Sequence, residues 1–491
     1  MNNVVIVGGG TAGWLTALYV QKVFPKSHIK VIASSEIGIL GAGEGTTADF
    51  TGFLKFLDVP ISGVIQYARG TIKIGNMFNN WNGDGKSYFH PFLDTPYMDD
   101  VNAYYNEIYN GNNLNDVQLS SIAAFQHKVL YKKDTLEKIG SDGLHFDAAL
   151  LAKYLEKISI ERGIILVDAK MTNVITDHNG FITKILLDGL DDIETDFVFD
   201  CTGFKRLIIG NFYGSKWQSY NDSLPVNRAM PFFISNEGEK LPPYSQSTSM
   251  KNGWMWKNPV QGRYGCGYVF DSNFATDEEI KAEAEEYLGQ EITVPKMFSF
   301  NAGCFNDIWI NNCVAVGLSG GFIEPLEATS IWVATQTLKT LKIKEAGIFQ
   351  RDQQAISQFN SIIRNMNTEI VSFIHFHYLS KRNDTEFWRN FKKNNSSPAI
   401  MQAFQDISNR TLPSQRDIDY INTVFGFTDD PNYIRTFEIA NWHTVGAGLK
   451  FFKSNFDITS INKSDYIASL LSKSQELIDH MEYLEILRNA S

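Results

Sequence analysis

Short apolar runs and one-sided helical patterns alternate near the start of the chain. Residues 4–7 form a β-branched run, a glycine-rich turn occupies residues 8–13, and residues 14–25 repeat apolar positions with helical spacing up to a proline. Residues 29–32 form a second β-branched run. This order predicts a strand, a glycine turn, a helix and a parallel strand, which together make a βαβ unit.

The same alternation continues through the middle of the chain. Residues 146–162 have a helical pattern that Gly163 ends, and residues 164–167 have the composition of a buried parallel strand. Polar turns separate two further strand patterns at residues 182–188 and 197–200. The chain is therefore predicted to be α/β with an added antiparallel portion, which is also described as α+β.

After about residue 336 the pattern changes to long helices. In the last of them the apolar positions from 467 to 484 have the spacing of a single one-sided helix. We therefore expect two units, one of residues 1–335 and a mainly helical one of residues 336–491.

Charge and hydropathy exclude two classes of partner. The net charge of −11 over 491 residues provides no basic surface for nucleic acid. The longest apolar stretch, residues 313–334, contains Glu324 and Glu327, and the N terminus has no charged region followed by an apolar signal segment. We expect a cytoplasmic protein with no membrane segment.

Cysteine and histidine positions do not predict a metal centre or a disulfide framework. The four cysteines lie far apart without a C-x-x-C pair, so reduced thiols are expected. Among His90, His375 and His377, only the last two are close in sequence, and residues two apart do not share a helix face. The expectation is that no metal is bound.

A dinucleotide fingerprint lies in the predicted βαβ unit. Gly8, Gly10 and Gly13 satisfy G-x-G-x-x-G between a strand and a helix, where free N–H groups and the helix dipole hold a pyrophosphate. The acidic residue that commonly binds the ribose is replaced by Ala33, with Ser34 and Glu36 as the nearest polar alternatives. The turn predicts a dinucleotide but leaves the ribose contact open.

Two more segments favour FAD over NAD. The glycine-rich residues 41–47 follow too closely to form a second dinucleotide turn and suit backbone packed against a cofactor. Residues 200–203 end a strand as the second FAD-contacting segment of flavoprotein oxidoreductases does.

Longer motifs give a specific resemblance. Residues 253–259, Gly-Trp-Met-Trp-Lys-Asn-Pro, resemble the G-W-x-W-x-I-P signature of flavin-dependent halogenases, the family that includes the tryptophan halogenases, with Asn258 in place of isoleucine. Residues 70–81 resemble the family's catalytic-lysine segment, and residues 313–330 resemble its N-C-V-A-I-G-L-x-x-G-F-x-E-P-L-E-S-T-G segment. Residues 377–388 match a further pattern, so the resemblance covers the chain from residue 4 to at least 388.

The resemblance implies a Rossmann-like FAD-binding domain of the flavin monooxygenase and halogenase type, with the helical C-terminal unit on the substrate side. Residues 1–335 would bind FAD and generate the oxidant. The implied FAD contacts are Gly8, Gly10, Thr11, Ala12, Gly13, Ser34, Ile37, Leu40, Ala42, Glu44, Gly45, Val174, Leu318 and Ile331.

The resemblance also implies the chemistry. Reduced FAD, O₂ and a halide ion would generate hypohalous acid, which Lys73 would hold as an ammonium ion or bind as a haloamine. Glu327 would stabilise or deprotonate the aromatic ring intermediate, and the halide would lie at the N–H groups of Thr329 and Ser330. The Trp254 and Trp256 pair would keep organic substrate away from the flavin.

Each of these residues has a purely structural alternative. Lys73 could be an edge-strand lysine whose stem lies on apolar surface while its ammonium reaches water. Glu327 could cap the helix that follows Pro325. We interpret Trp254 and Trp256 as neighbours on opposite strand faces, so that one or both could be core residues.

Two departures from the family pattern concern the halide and the substrate. The run E-S-T-G is Glu-Ala-Thr-Ser at residues 327–330, so Ala328 lacks a hydroxyl and Ser330 replaces glycine. These changes predict a halide preference different from that of chlorinating relatives. A phenol, an indole or another heteroaromatic compound is the expected substrate.

Partners and competing functions complete the expectations. The resemblance also implies that a separate flavin reductase supplies the reductant, which is consistent with the lack of a second nucleotide fingerprint for NAD(P)H. The alternatives are an FAD-dependent aromatic monooxygenase and a non-catalytic flavin-binding protein. Whether the chain forms a homo-oligomer is left open.

Overall fold

The computed structural model describes residues 1–38, 43–92, 115–394, 436–451 and 463–490. Their strands, in chain order, are β1 (Asn3–Val7), β2 (His28–Ala33), β3 (Gly43–Gly45), β4 (Thr71–Lys73), β5 (Gly75–Asn79), β6 (Ser87–Pro91), β7 (Lys128–Lys132), β8 (Gly143–Asp147), β9 (Ile165–Asp168), β10 (Met171–Thr176), β11 (Ile182–Leu187), β12 (Ile193–Glu194), β13 (Phe197–Asp200), β14 (Trp217–Ser219), β15 (Arg228–Ser235), β16 (Ser245–Met250), β17 (Gly253–Val260), β18 (Arg263–Phe270), β19 (Phe298–Ser299), β20 (Gly303–Phe305), β21 (Trp309–Ile310), β22 (Cys313–Ala315), β23 (Gly321–Phe322) and β24 (Leu477–Asp479).

The helices of the same residues are α1 (Thr11–Val23), α2 (Asp49–Phe56), α3 (Ile61–Tyr67), α4 (Leu119–Phe125), α5 (Ala148–Glu161), α6 (Asp277–Leu288), α7 (Thr329–Ile343), α8 (Ala346–Phe349), α9 (Gln353–Tyr378), α10 (Glu386–Asn394), α11 (Ile439–Gly448), α12 (Lys463–Gln475) and α13 (His480–Asn489). None of these helices is long and apolar enough to cross a membrane.

A mostly parallel sheet contains the predicted N-terminal unit. Its order is β21-β22-β13-β1-β2-β9, with β1 parallel to both β2 and β13. Because α1 connects β1 to β2 and the chain later returns to pair β13 on the other side of β1, a crevice forms at the carboxyl end of β1. The α/β prediction is confirmed.

Two further sheets carry the predicted site residues Lys73, Trp254 and Trp256. A seven-stranded sheet has the order β19-β15-β18-β17-β16-β5-β6, and only its β16 and β5 pair is parallel. A small antiparallel sheet has the order β3-β8-β4. The predicted antiparallel portion is therefore confirmed, and consecutive strands β4 and β5 lie in different sheets.

Two local predictions in the first half were wrong. The helix expected from residue 146 begins at Ala148, because Phe146 and Asp147 end β8 and the Asp147 carboxylate accepts hydrogen bonds from the N–H groups of Ala149 and Leu150. The strand expected to be buried, β9, is the edge of its sheet, and Ile165 is 51% exposed.

The last helix is also not continuous. Its apolar pattern is divided between α12 and α13 by β24, which pairs with β7. Leu477 and Ile478 are buried as strand residues, which accounts for their apolar character without a helix.

Candidate functional site

The glycine turn after β1 has the geometry of a pyrophosphate cradle. Gly8 has a φ of 121°, and a Cβ there would lie 2.2 Å from the Cys201 carbonyl oxygen. A Cβ on Gly13 would lie 1.9 Å from the Gly8 carbonyl oxygen, whereas the space beside Gly10 is open. No side chain caps α1, so its first N–H groups are free to bind an anion. The residues present therefore fit a dinucleotide.

Several of the other predicted cofactor residues lie around this turn. A Cβ on Gly317 would lie 2.9 Å from the Cβ of Ala12, which places the short helical turn containing Leu318 against the start of α1. Ser319, in the same helical turn, accepts a hydrogen bond from the Gly203 N–H at 3.1 Å. This contact joins the turn to the second predicted FAD segment, residues 200–203.

The remaining predicted cofactor residues are distributed as follows. Ser34 and Ile37 follow β2, Glu44 and Gly45 lie on β3, and Ile331 lies in the first turn of α7. Val174 lies on β10 in a separate three-stranded sheet. Leu40 and Ala42 lie outside the described residues.

Lys73 is completely buried at the end of β4. No described residue accepts a hydrogen bond from its Nζ, which lies 5.4 Å from the centre of the Phe92 ring. Burial lowers the pKa of the Lys73 ammonium to about 7, although the negative charge of Glu327 raises it. Strand β4 is the edge of its small sheet, as the structural alternative expected, but the expectation that the ammonium reaches water is wrong, because Lys73 has no exposed surface.

Glu327, two residues before helix α7, lies in a buried polar cluster. Its Oε2 accepts a hydrogen bond from Asn76 Nδ2 at 2.8 Å, and its Oε1 lies 3.0 Å from His90 Nδ1 and 2.9 Å from His377 Nε2. Burial raises the pKa of the carboxyl group, but the two histidines outweigh it and lower the pKa to about 2. Glu327 is therefore an anion at neutral pH.

Further contacts hold the two histidines in place. His377 Nδ1 lies 2.8 Å from the Phe373 carbonyl oxygen and donates to it. Its Nε2 lies 2.9 Å from Glu327 Oε1. His90 Nε2 accepts from Asn441 Nδ2 at 2.9 Å, and its Nδ1 lies 3.0 Å from the same carboxylate oxygen.

The helix-capping alternative for Glu327 is wrong. Helix α7 begins after Ala328, which has a φ of 56°, and no side chain caps it. The N–H groups of Thr329 and Ser330 are therefore in the first turn of an uncapped helix of fifteen residues. This is the place at which a halide is expected.

The two tryptophans share one strand face, contrary to the sequence interpretation. Trp254 and Trp256 are two residues apart on β17, and side chains two apart in a strand point the same way. Their ring centres are 6.1 Å apart, so the indoles form one aromatic wall. Trp254 is fully buried, whereas Trp256 is half-buried.

Trp254 is held by a second buried acid that the sequence did not single out as functional. Glu324 Oε1 accepts hydrogen bonds from Trp254 Nε1 at 3.0 Å and from the Tyr378 hydroxyl at 2.7 Å. Burial raises the pKa of Glu324 to about 8, so the group is a neutral carboxylic acid at pH 7. The two glutamates of one short segment are thus held in opposite ionisation states.

Sequence reasoning missed the residues that hold Glu327. The sequence raised His90 only as a possible metal ligand and His377 also as the start of a matched family segment, and it gave no role to Asn76 or Asn441. One signal was available, because both histidines lie in strongly apolar runs where a polar residue needs a partner.

The comparisons with known proteins identify the family of the chain. The family model described as tryptophan halogenase matches residues 3–459. The tryptophan 6-halogenase SttH of Streptomyces toxytricini is 31% identical over 423 residues, which are 80% of this chain and 81% of that protein. The tryptophan 7-halogenase RebH of Lentzea aerocolonigenes is 29% identical over 417 residues, which are 79% of this chain and 78% of that protein.

A solved structure gives the same result for the fold. BrvH, a flavin-dependent halogenase from Brevundimonas sp. BAL3, superposes with a TM-score of 0.86 at 26% identity and covers 99% of both chains. The similarity therefore includes the helical C-terminal part as well as the glycine-turn sheet.

Proposed function

The chain belongs to the tryptophan halogenase family, and from this premise we propose that it halogenates an electron-rich aromatic substrate with hypohalous acid by means of Lys73 and Glu327. Membership of the family makes the chain a flavin-dependent halogenase with a Rossmann-type FAD-binding domain. The observation that supports the residue assignment is the buried ammonium of Lys73 under the electrostatic influence of the buried Glu327 carboxylate.

The chain's first task is to hold FAD, halide and substrate apart from water. The free N–H groups at the start of α1 would bind the pyrophosphate, and those of Thr329 and Ser330 would bind the halide. Reduced FAD with O₂ would supply the oxidising equivalent for the halide. Trp254 and Trp256 would form the wall that excludes organic substrate from the flavin.

Lys73 would receive the hypohalous acid. Its Nζ has no described hydrogen-bond acceptor in the resting site, so an arriving oxygen atom gains a charged donor without displacing another acceptor. Because the surroundings are dry, that hydrogen bond is stronger than it would be in water.

Glu327 would act by charge rather than as a base. A carboxylate whose pKa is about 2 is a weak proton acceptor near neutrality, but it remains anionic and stabilises positive charge on the ring during halogen addition. His90, His377 and Asn76 would fix its position.

We assign the binding of FAD and the binding of substrate to different parts of the chain. Residues 1–335 would bind FAD and generate the oxidant, and residues 336–491 would form the substrate side. The contact of His377, on α9, with Glu327 supports a site completed by the helical part. We propose a phenol, an indole or another heteroaromatic substrate, and a separate flavin reductase as the source of reduced FAD.

Mass spectrometry of products tests this function. Purified protein is supplied with FAD, a flavin reductase, NADH, a phenol and indole panel, and an equimolar mixture of chloride and bromide, beside Lys73→Ala and the exposed-lysine control Lys157→Ala. We expect halogenated product that only Lys73→Ala abolishes, with a minority of chlorinated product because of Ala328 and Ser330. An oxygenated product would indicate a monooxygenase, no product would favour a non-catalytic protein, and mainly chlorinated product would reject the halide preference.

A further inference from the structure

A chain of hydrogen bonds ends beside Lys73. The Thr71 hydroxyl donates to the Pro259 carbonyl oxygen at 2.6 Å, so its oxygen accepts from His145 Nδ1 at 3.0 Å. His145 therefore carries its ring hydrogen on Nδ1. Burial, together with the charge of Lys73, lowers the pKa of His145 well below its usual value, so the imidazole is neutral and Nε2 has a free lone pair.

Ser245 is the last member of this chain. Its hydroxyl lies 3.0 Å from His145 Nε2, to which it must donate because that nitrogen carries no hydrogen. The single hydroxyl hydrogen is thereby committed, and toward any other neighbour Ser245 Oγ can only accept. A buried serine held in this way is a hydrogen-bond acceptor of fixed direction.

Ser245 Oγ and Lys73 Nζ flank the same glycine. A Cβ on Gly45 would lie 3.1 Å from each of these two atoms, so both border the backbone of β3 at one point. No hydrogen bond joins Nζ to any described residue. Because each atom lies 3.1 Å from the same point, Nζ and Oγ are separated by no more than twice that distance. One oxygen atom that accepts from Nζ and donates to Oγ can span this separation with two hydrogen bonds of ordinary length. Ala328, the neighbour of Glu327, has no hydroxyl that could take this part.

We propose that Lys73 and Ser245 form a two-point binding site for one molecule of hypohalous acid. The oxygen of the acid accepts a hydrogen bond from the Lys73 ammonium, and its O–H donates to Ser245 Oγ. With both polar contacts made through the oxygen, the halogen atom is left free to face the aromatic ring. The inference rests on the proposed function and adds Ser245 to the residues that touch the reacting molecule.

The division of hypohalous acid between halogenated product and a trap in solution tests the proposal. Ser245→Ala, Ser245→Thr and the buried same-strand control Ser247→Ala are supplied with FAD, flavin reductase, NADH, halide and substrate, and a diffusible β-diketone traps hypohalous acid that escapes. The sum of product and trapped acid measures the total oxidised halide of each variant and normalises the comparison. In Ser245→Ala the ratio of product to trapped acid should fall about tenfold, which corresponds to the loss of one hydrogen bond. Ser245→Thr and Ser247→Ala should keep the wild-type ratio.

A crystal structure provides a readout that does not need catalysis. In the wild-type protein an ordered water should lie within hydrogen-bond distance of both Nζ and Oγ, and Ser245→Ala should lose it. A wild-type ratio in Ser245→Ala overturns the proposal even if halogenation is confirmed. If the wild-type protein halogenates nothing, the proposed function fails, and the absence of the bridging water then overturns this inference separately.

Discussion

At the scale of single residues, the site depends on charges placed in a dry interior. Lys73, Glu324 and Glu327 are all buried, yet burial and neighbours give them pKa values of about 7, 8 and 2. Because Glu327 contacts two histidines and an amide donor whereas Glu324 accepts only from an indole and a phenol, one acid is ionised and the other is not. Environment therefore separates two identical side chains into two roles.

The pH dependence of halogenation should report Lys73. Since the proposed active form is the ammonium, kcat/KM for the halogenation step should fall as the pH rises through about 7. In Glu327→Asn, which removes the charge that raises the pKa of Lys73, the falling limb should move to lower pH. Single-turnover kinetics over a series of pH values measures this, and a rate that rises through the same range would instead assign the reaction to the neutral amine.

The stability of the fold should depend on the ionised Glu327. Its pKa is lowered from 4.5 to about 2 in the folded protein, so its contribution to the free energy of unfolding is present above about pH 4.5 and is lost as the pH falls toward 2. Glu327→Gln should cost about 3 kcal/mol at pH 7, because His90, His377 and Asn76 lose the carboxylate charge that they contact.

Urea denaturation at neutral and acidic pH measures this effect, with the exposed Glu237→Gln as the control. The difference in the free energy of unfolding between wild type and Glu327→Gln should become smaller as the pH is lowered. A difference that is constant with pH would mean that the carboxylate charge does not stabilise the fold.

At the scale of elements, the cofactor segment β3 is attached to the strand with the two tryptophans. Asn258, the residue that departs from the family signature on β17, donates a hydrogen bond to the Gly43 carbonyl oxygen at 2.9 Å. Gly43 and Gly265 also approach closely, since a Cβ on Gly43 would lie 2.8 Å from the Gly265 Cα. The departure from the signature thus provides a contact that isoleucine cannot make.

Flavin affinity should depend on this contact. Asn258→Ile should weaken FAD binding about tenfold, because one buried hydrogen bond to the cofactor segment is lost. Quenching of flavin fluorescence gives the dissociation constant. Asn236→Leu, which removes a comparable buried amide bonded to the Val260 carbonyl oxygen, is the control and should leave the affinity unchanged. Equal weakening in both variants would show a general loss of stability instead.

At the scale of the whole molecule, the end of the chain holds the strand of Lys73. His480, at the start of α13, accepts a hydrogen bond from the Ile72 N–H at 3.1 Å and donates to the Leu241 carbonyl oxygen at 2.9 Å. Burial lowers the pKa of His480 to about 4, so the ring remains a neutral acceptor at pH 7. The C-terminal segment is therefore part of the site's support.

His480→Leu should lower both the free energy of unfolding and the fraction of hypohalous acid that reaches the substrate. The Ile72 N–H would be left buried without an acceptor, at a cost of about 2 kcal/mol. Chemical denaturation measures the cost, and the ratio of product to escaped hypohalous acid should fall because the Lys73 strand is displaced. The exposed His178→Leu is the control. An unchanged ratio of product to escaped acid in a destabilised His480→Leu protein would limit this residue to a structural role.

The sequence by itself determined the features that depend on neighbouring residues. The order of strand, glycine turn and helix around Gly8 follows from local sterics, and the continuous motifs around Lys73 and Trp254 allowed the family to be recognised. Even there, the face shared by Trp254 and Trp256 was assigned wrongly, although a period of two requires it.

Only the tertiary structure decided how the acid and the lysine are controlled. Glu327 meets His90 across 237 residues and Asn76 across 251, and Ser245 meets His145 across 100. The breaks in the last helix and the edge position of β9 likewise depend on pairing with distant strands. Ionisation and pairing are properties of the folded surroundings, because burial and long-range hydrogen bonds exist only after the chain has packed.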